Sequence, residues 1–334
     1  MHQSVRLLGR LVLWIVLLAA TLWGSAALWF DSHASLAALL AAGFPLAVLA
    51  LLIMLRPSRR AYAAILVLFA VLLGWWLSLE PSNSRDWQPD VARLPTAEIR
   101  GDKLTLRNVR NFDYRTETDY TQHWETRSYD LSKLQGLDLF VIYWGSPSIA
   151  HTILSWDFKG GQHLAVSIET RKEKGESYSA VRGFFRQYEL YYVIADERDV
   201  VGLRTNYRHE DVYLYRLRTP PARARALLLN YLKAVNRLAE HPRWYNALTH
   251  NCTTTIRLHV GDVVPGIPLD WRWLANGHLD ELLYEMGVVN RDSPFAEFKK
   301  RSYINPKAQA VPPGGDFSGA IRKGLPPRPP PPVI

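Results

Sequence analysis

The sequence predicts three transmembrane helices followed by an α+β domain with an antiparallel sheet and packed helices. Three observations carry that reading. Uncharged apolar runs fill most of residues 1–80, β-rich runs cluster between Leu137 and Leu217, and helical periodicity takes over after Pro220.

The apolar runs come first. Leu11 to Phe30, Ala34 to Leu55 and Ala61 to Leu79 each approach the roughly twenty residues that a spanning helix needs. Pro45 is expected to kink the second, and Trp75 and Trp76 close the third at interfacial depth. The first run is too long for a cleaved signal peptide, and two more follow it directly. Arg6 and Arg10 precede the first run and "RPSRR" (Arg56 to Arg60) joins the second to the third, whereas "DSHA" between the first two carries no Lys or Arg. The positive-inside rule then puts the N-terminus and the "RPSRR" turn in the cytoplasm. Everything after Leu79 falls on the far side, the topology of a multi-pass bacterial inner-membrane protein with a periplasmic domain.

About 250 residues remain, enough for one sizeable core. The expected division is a membrane anchor over 1–80, a periplasmic domain over 81–310 and a disordered Pro-rich tail over 311–334. Part of the net charge of +9 belongs to the cytoplasmic arginines, and the rest is interspersed with acidic residues. Such a surface suits anionic lipid headgroups; a periplasmic domain excludes nucleic acid as a partner. Within the domain "LDLFVIYWG", "HTILSWDF", "HLAVSIETR", "YELYYVIAD" and "DVYLYRLR" read as strands, with "KGG" as a hairpin turn between the second and third. Pro220 and Pro221 open a helix that runs through "ARARALLLNYLKAVNRLAEH" to His241-Pro242. "WYNALTHN" is a loop, "CTTTIRLHV" begins another helix capped by Asn251 or Thr249, and "WRWLANGHLDELLYEMG" is a further helical piece.

Cys252 is the only cysteine, so it makes no internal disulfide. It is a small buried hydrophobe, a partner for another chain, or a reactive group, and in an oxidising compartment an exposed idle thiol is a liability. In the first turn of a helix it meets unpaired N–H groups and the positive end of the dipole, which lower thiol pKa. The same N–H groups can receive the oxyanion of an acyl-transfer intermediate. His151 follows the "GSPSIA" loop and opens a strand, which makes it the candidate base, and Glu169 on the next strand is placed to orient its imidazole. The competing reading is a packed cysteine and a solvent-facing histidine. His163 reads as a surface residue beside the turn or a second imidazole, His250 as a loop residue able to touch substrate, and His259 as decoration on a helix face. No His/Cys/Asp spacing resembles a zinc site and no phosphate loop is present, so neither metal nor cofactor is expected.

The run "SIAHTILSWDF…LAVSIETRKEKGESYS" (Ser148 to Ser179), then "RHEDVYLYRL" (Arg208 to Leu217) and "YNALTHNCTTTI" (Tyr245 to Ile256), resembles the Lnb N-terminal periplasmic domain family over roughly Asp138 to Arg272. That resemblance implies a permuted papain-like fold related to NlpC-type peptidases, with the histidine before the cysteine in the chain. It also implies a Cys–His pair, falling on Cys252 and His151, and lipoprotein N-acyltransferase chemistry. On this reading Asn251, His250 and Thr253 contact substrate or the oxyanion, and membrane lipids with a lipoprotein are the partners. The chain departs from the family's namesake in carrying its three spans before the domain and none after it. A cell-wall peptidase or amidase acting on peptidoglycan with the same dyad remains open, as does a non-catalytic membrane assembly factor.

Overall fold

The computed structural model describes residues 2–264 and 266–331. By contacts the chain forms two compact units, residues 1–82 with 178–188, and residues 83–177 with 189–334.

The first unit holds α1 (His2–Asp31), α2 (Ala34–Met54) and α3 (Arg59–Ser78), all long and apolar enough to cross a membrane. The second helix runs unbroken through Pro45, and Ser58 caps the third by accepting from the Ala61 amide. Phe44, Val48, Ile65 and Leu72 form the buried seam between them. Residues 178–188 join this unit although they lie within the predicted periplasmic segment. "RGFFRQ" explains it: Gln187 donates to the Asp31 carboxylate at 2.8 Å, Arg186 stacks on the Trp76 ring, and Phe185 packs against Phe30.

The second unit is α+β. Its strands are β1 (Thr96–Arg100), β2 (Lys103–Arg110), β3 (Asp113–Tyr114), β4 (Tyr120–Thr121), β5 (Trp124–Asp130), β6 (Leu134–Tyr143), β7 (Ala150–Phe158), β8 (His163–Arg171), β9 (Glu189–Ala195) and β10 (Asp211–Leu217). Its helices are α4 (Glu197–Val200), α5 (Pro221–Glu240), α6 (Cys252–Val263), α7 (Leu279–Glu285), α8 (Phe295–Arg301), α9 (Asn305–Gln309) and α10 (Phe317–Arg322). An eight-stranded sheet runs β1-β2-β9-β8-β7-β6-β10, with β5 also paired to β2. The five predicted strands form the run β9-β8-β7-β6-β10, and β6 to β9 are buried along nearly every residue because both faces are covered.

Three differences from the sequence expectation have physical causes. Strands β1, β2 and β5 were not anticipated, because Lys103, Arg107, Glu125 and Arg127 mask the alternation of buried Leu104 and Leu106. The sheet is not wholly antiparallel, since β2 meets β9 in parallel at Arg110 and Ala195. The stretch from 311 is not an extended tail: α10 lies within it, and Phe317, Ile321 and Leu325 are buried in the core against Phe140, Val193 and Ile304. Its last residues, 332–334, lie outside the described residues.

Candidate functional site

Strand register brings the first two site residues together. In the β7–β8 ladder Ile153 pairs with Ser167 and Leu154 with Val166, so two residues further on His151 stands across from Glu169. Side chains two apart share a face, which puts Ser167 on the same side as both. The His151 Nε2 lies 2.7 Å from Ser167 Oγ and 3.1 Å from Glu169 Oε1, while the serine hydroxyl donates to Glu169 Oε1 at 2.7 Å. If that hydroxyl donates to the carboxylate, it accepts from Nε2–H, which fixes the tautomer and leaves Nδ1 for a second partner. Arg204 Nη2 donates to the same carboxylate oxygen at 3.0 Å and is itself held by Glu210 through Nη1 at 2.9 Å.

The thiol arrives on α6. Asn251 and Thr254 form a reciprocal capping box: the Asn251 side chain accepts from the Thr254 amide at 2.8 Å, and the Thr254 hydroxyl accepts from the Asn251 amide at 3.0 Å. Cys252 is therefore the first residue of the helix, where the amides lack intrahelical acceptors. Its sulfur lies 3.7 Å from the Thr253 hydroxyl and 4.0 Å from Asn276 Nδ2, and the charge of His151 acts on it. Cys252 and His151 are each 8% exposed, so both are mostly desolvated.

Desolvation and charge oppose each other here. Burial alone would raise the thiol; the charge and hydrogen bond of His151, with the Thr152 amide and the Thr253 hydroxyl, outweigh it and lower Cys252 to about 7. Burial alone would lower the imidazole; Glu169 overcomes this against Arg204, and with Cys252 raises His151 to about 9. Burial would likewise raise Glu169, but His151, Arg204 and the Ser167 hydroxyl hold it well below the usual carboxylate range. The thiolate–imidazolium form is thus favoured between about 7 and about 9. A reaction that needs it should rise as pH passes the thiol value and fall as the imidazolium loses its proton. Glu169→Gln removes the charge that raises His151, so the alkaline limb should move down toward an ordinary histidine near 6.5. An alkaline limb that stays in place in the variant would show that Glu169 does not set the imidazole.

The remaining expected residues divide. Asn251 is committed to the cap, and its Nδ2 donates to Ala247 O at 2.7 Å. Thr253 is fully buried; its hydroxyl receives Asn276 Nδ2 at 2.5 Å and lies 3.2 Å from Thr152 Oγ1, so it faces structure rather than substrate. His250 remains at the loop surface with Nδ1 on the Thr249 hydroxyl. His163 is a buried side chain rather than a surface one, 3.9 Å from Glu197 and 4.0 Å from Asp157. His259 does not decorate a face: it is buried, donating to or accepting from Tyr192 Oη at 2.7 Å and Asn230, and burial lowers it to about 4. Ser167, Arg204 and Asn276 had no sequence signal beyond their polarity. Among the described residues, no group of three or more His, Cys, Asp or Glu is arranged to hold a metal ion.

The comparison with known families follows from this geometry. The profile of the Lnb N-terminal periplasmic domain matches residues 120–277, a stretch that holds His151, Glu169 and Cys252. This segment belongs to the Lnb N-terminal periplasmic domain family. No curated protein and no solved structure matches the chain. An Lnb periplasmic domain behind three apolar helices fits a membrane-anchored protein with a periplasmic domain.

Proposed function

We propose that this chain is a thiol-dependent acyltransferase or hydrolase, anchored in the bacterial inner membrane by its three spans and acting on acyl groups of lipids or lipoproteins in the periplasm. The observation that carries the proposal is the buried His151 imidazole, backed by Ser167 and Glu169 and coupled by charge to the Cys252 thiol at the start of α6. The order of histidine on a strand before cysteine on a helix supports a permuted papain-like arrangement.

In the proposed reaction the Cys252 thiolate attacks the acyl carbonyl carbon, forming a C–S bond, while the carbonyl electron pair moves onto oxygen. The unpaired amides at the start of α6 are placed for that oxyanion. His151 gives its proton to the leaving oxygen as the acyl C–O bond breaks, leaving a thioester. It then takes a proton from an incoming amine or water, whose attack on the thioester expels the thiolate. Glu169 keeps the imidazole oriented and charged, and Arg204 keeps Glu169 ionised.

An acyl substrate is favoured by the exposed residues next to the site in the chain. Ile149 two residues before His151, Leu248 four before Cys252, and Trp271 and Leu274 just before Asn276 are all exposed large apolar residues. Water-exposed apolar residues gathered along the segments that form a site suit a hydrophobic ligand. Intact-mass spectrometry of the protein in phospholipid-containing micelles tests the proposal. The expected result is a fatty-acyl mass increment lost with Cys252→Ala. Cleavage of muropeptides without any acyl adduct would turn the same dyad to peptide-bond chemistry. Neither product would favour a non-catalytic role in membrane assembly.

A further inference from the structure

Asn276 is buried at the start of a 3₁₀ turn, Asn276–His278, and its carboxamide touches both halves of the site. The Asn276 Oδ1 accepts the Ala150 amide at 2.7 Å, and Nδ2 donates to the Ala150 carbonyl at 2.5 Å. The same Nδ2 donates to Thr253 Oγ1 at 2.5 Å and lies 4.0 Å from the Cys252 sulfur. Ala150 is the residue before His151, and Thr253 is the residue after Cys252. One planar group therefore joins the strand of the imidazole to the helix of the thiol.

We infer that Asn276 is a positioning residue that sets the approach of Cys252 to His151, an inference that rests on reading those two as a reactive pair. The turn that carries it is fixed from two directions. The Gly277 amide donates to Ser148 O at 3.1 Å and Tyr143 Oη donates to Gly277 O at 2.7 Å. A Cβ on Gly277 would stand 2.1 Å from the Pro147 carbonyl oxygen, so only glycine lets the turn press against the loop entering β7. With the turn held, the carboxamide has little freedom, and a dyad needs that: small misplacement of a reacting pair is costly.

Asparagine is required on this account because the group must both donate and accept. Aspartate has the same shape and still accepts from the Ala150 amide. It loses the donation to Ala150 O and Thr253 Oγ1 and brings negative charge toward the sulfur. Purely structural support would let such a variant melt earlier without altering the thiol.

Alkylation by iodoacetamide separates these. Because Cys252 is the only cysteine, any adduct seen by intact mass reports on it alone. The full chain in detergent micelles, wild type beside Asn276→Asp, is alkylated across pH and its thermal unfolding recorded. The expected wild-type rate rises at lower pH than a free thiol near 8.5, and Asn276→Asp moves that rise upward by at least about one unit, roughly fivefold slower labelling at pH 7. Asn276→Ser, smaller and neutral, carries the same test if the charged variant fails to fold. Variants that melt earlier but keep the wild-type pH profile would reduce Asn276 to packing. A wild-type profile like a free thiol, or one unchanged by His151→Ala, would instead remove the reactive pair on which the inference rests.

Discussion

Replacing Cys252 by serine is expected to cut acyl transfer by on the order of 10⁴-fold or more while the domain stays folded. The size follows from the charge state of the pair. At neutral pH the thiol, lowered to about 7, is substantially ionised, and His151, raised to about 9, is already an imidazolium. A serine hydroxyl is not ionised there, and a histidine that already holds its proton cannot take another from it. The dyad is therefore tuned for sulfur, and oxygen in the same place lacks a base. Serine keeps the size of the side chain and a capacity to bond the Thr253 hydroxyl, so helicity and melting temperature should change little. Turnover of a phospholipid acyl donor, read beside circular dichroism, decides it. Activity retained in the folded variant would rule out the thiol as nucleophile, and loss of fold with loss of activity would return Cys252 to the packing role.

How much of this site was legible in the chain depends on how local each signal was. Cys252 at a helix start could be read because Asn251, its cap, is its neighbour. The pairing of His151 with Glu169 could be read because a short turn between two strongly β-patterned runs fixes their register. The strands β6 to β9 were equally plain from their apolar, β-rich runs. The outer strands were not, since Lys103 and Arg107 flank the buried leucines of β2 and mask their alternation. Asn276 left no trace, because its partners Ala150 and Thr253 lie 126 and 23 residues away and nothing in "LANGHL" distinguishes a buried carboxamide from a loop asparagine. Arg204 was hidden in the same way: its value is its contact with Glu169, made from a π-helical turn, Leu203–Tyr207, that no periodicity announces. The C-terminal stretch misled by composition. Prolines describe the backbone of "IRKGLPPRPPPP" but say nothing about where its arginines point.

Those arginines lead to the largest expected loss of stability, from Arg322→Ala. Arg322 donates to Asp138 Oδ2 at 2.8 Å and to both oxygens of Glu197 at 2.7 Å, and both acids are fully buried. Arg328 adds Asp138 Oδ1 at 2.9 Å and Asp157 Oδ2 at 3.1 Å, and passes so close to the backbone that a Cβ on Gly136 would meet its guanidinium at 2.5 Å. Removing one partner of such a cluster leaves buried carboxylates unpaired, which costs about 3–5 kcal/mol. For a domain of this size that is a fall in melting temperature on the order of 10 °C. Arg322→Lys keeps the charge but loses the forked geometry, so an intermediate loss is expected. The pH dependence has a definite sign. Burial pushes the Glu197 carboxyl up, but the Arg322 charge and hydrogen bonds, with His163 and the Ser155 hydroxyl, bring it down to about 2. A carboxylate depressed on folding contributes stability that is complete above its ordinary value near 4.3 and is lost as pH falls through the folded value. The wild-type domain should lose this contribution progressively as pH falls from about 4.3 toward 2, whereas in Arg322→Ala burial without a partner raises Glu197, so protonation relieves the defect and the gap between the two proteins should narrow as pH falls. Melting curves of the full chain from pH 7 to pH 3 read both effects. Coincident curves for wild type and Arg322→Ala would show that the C-terminal stretch contributes nothing to the fold, and that its bonds to Asp138 and Glu197 are replaced by water without loss.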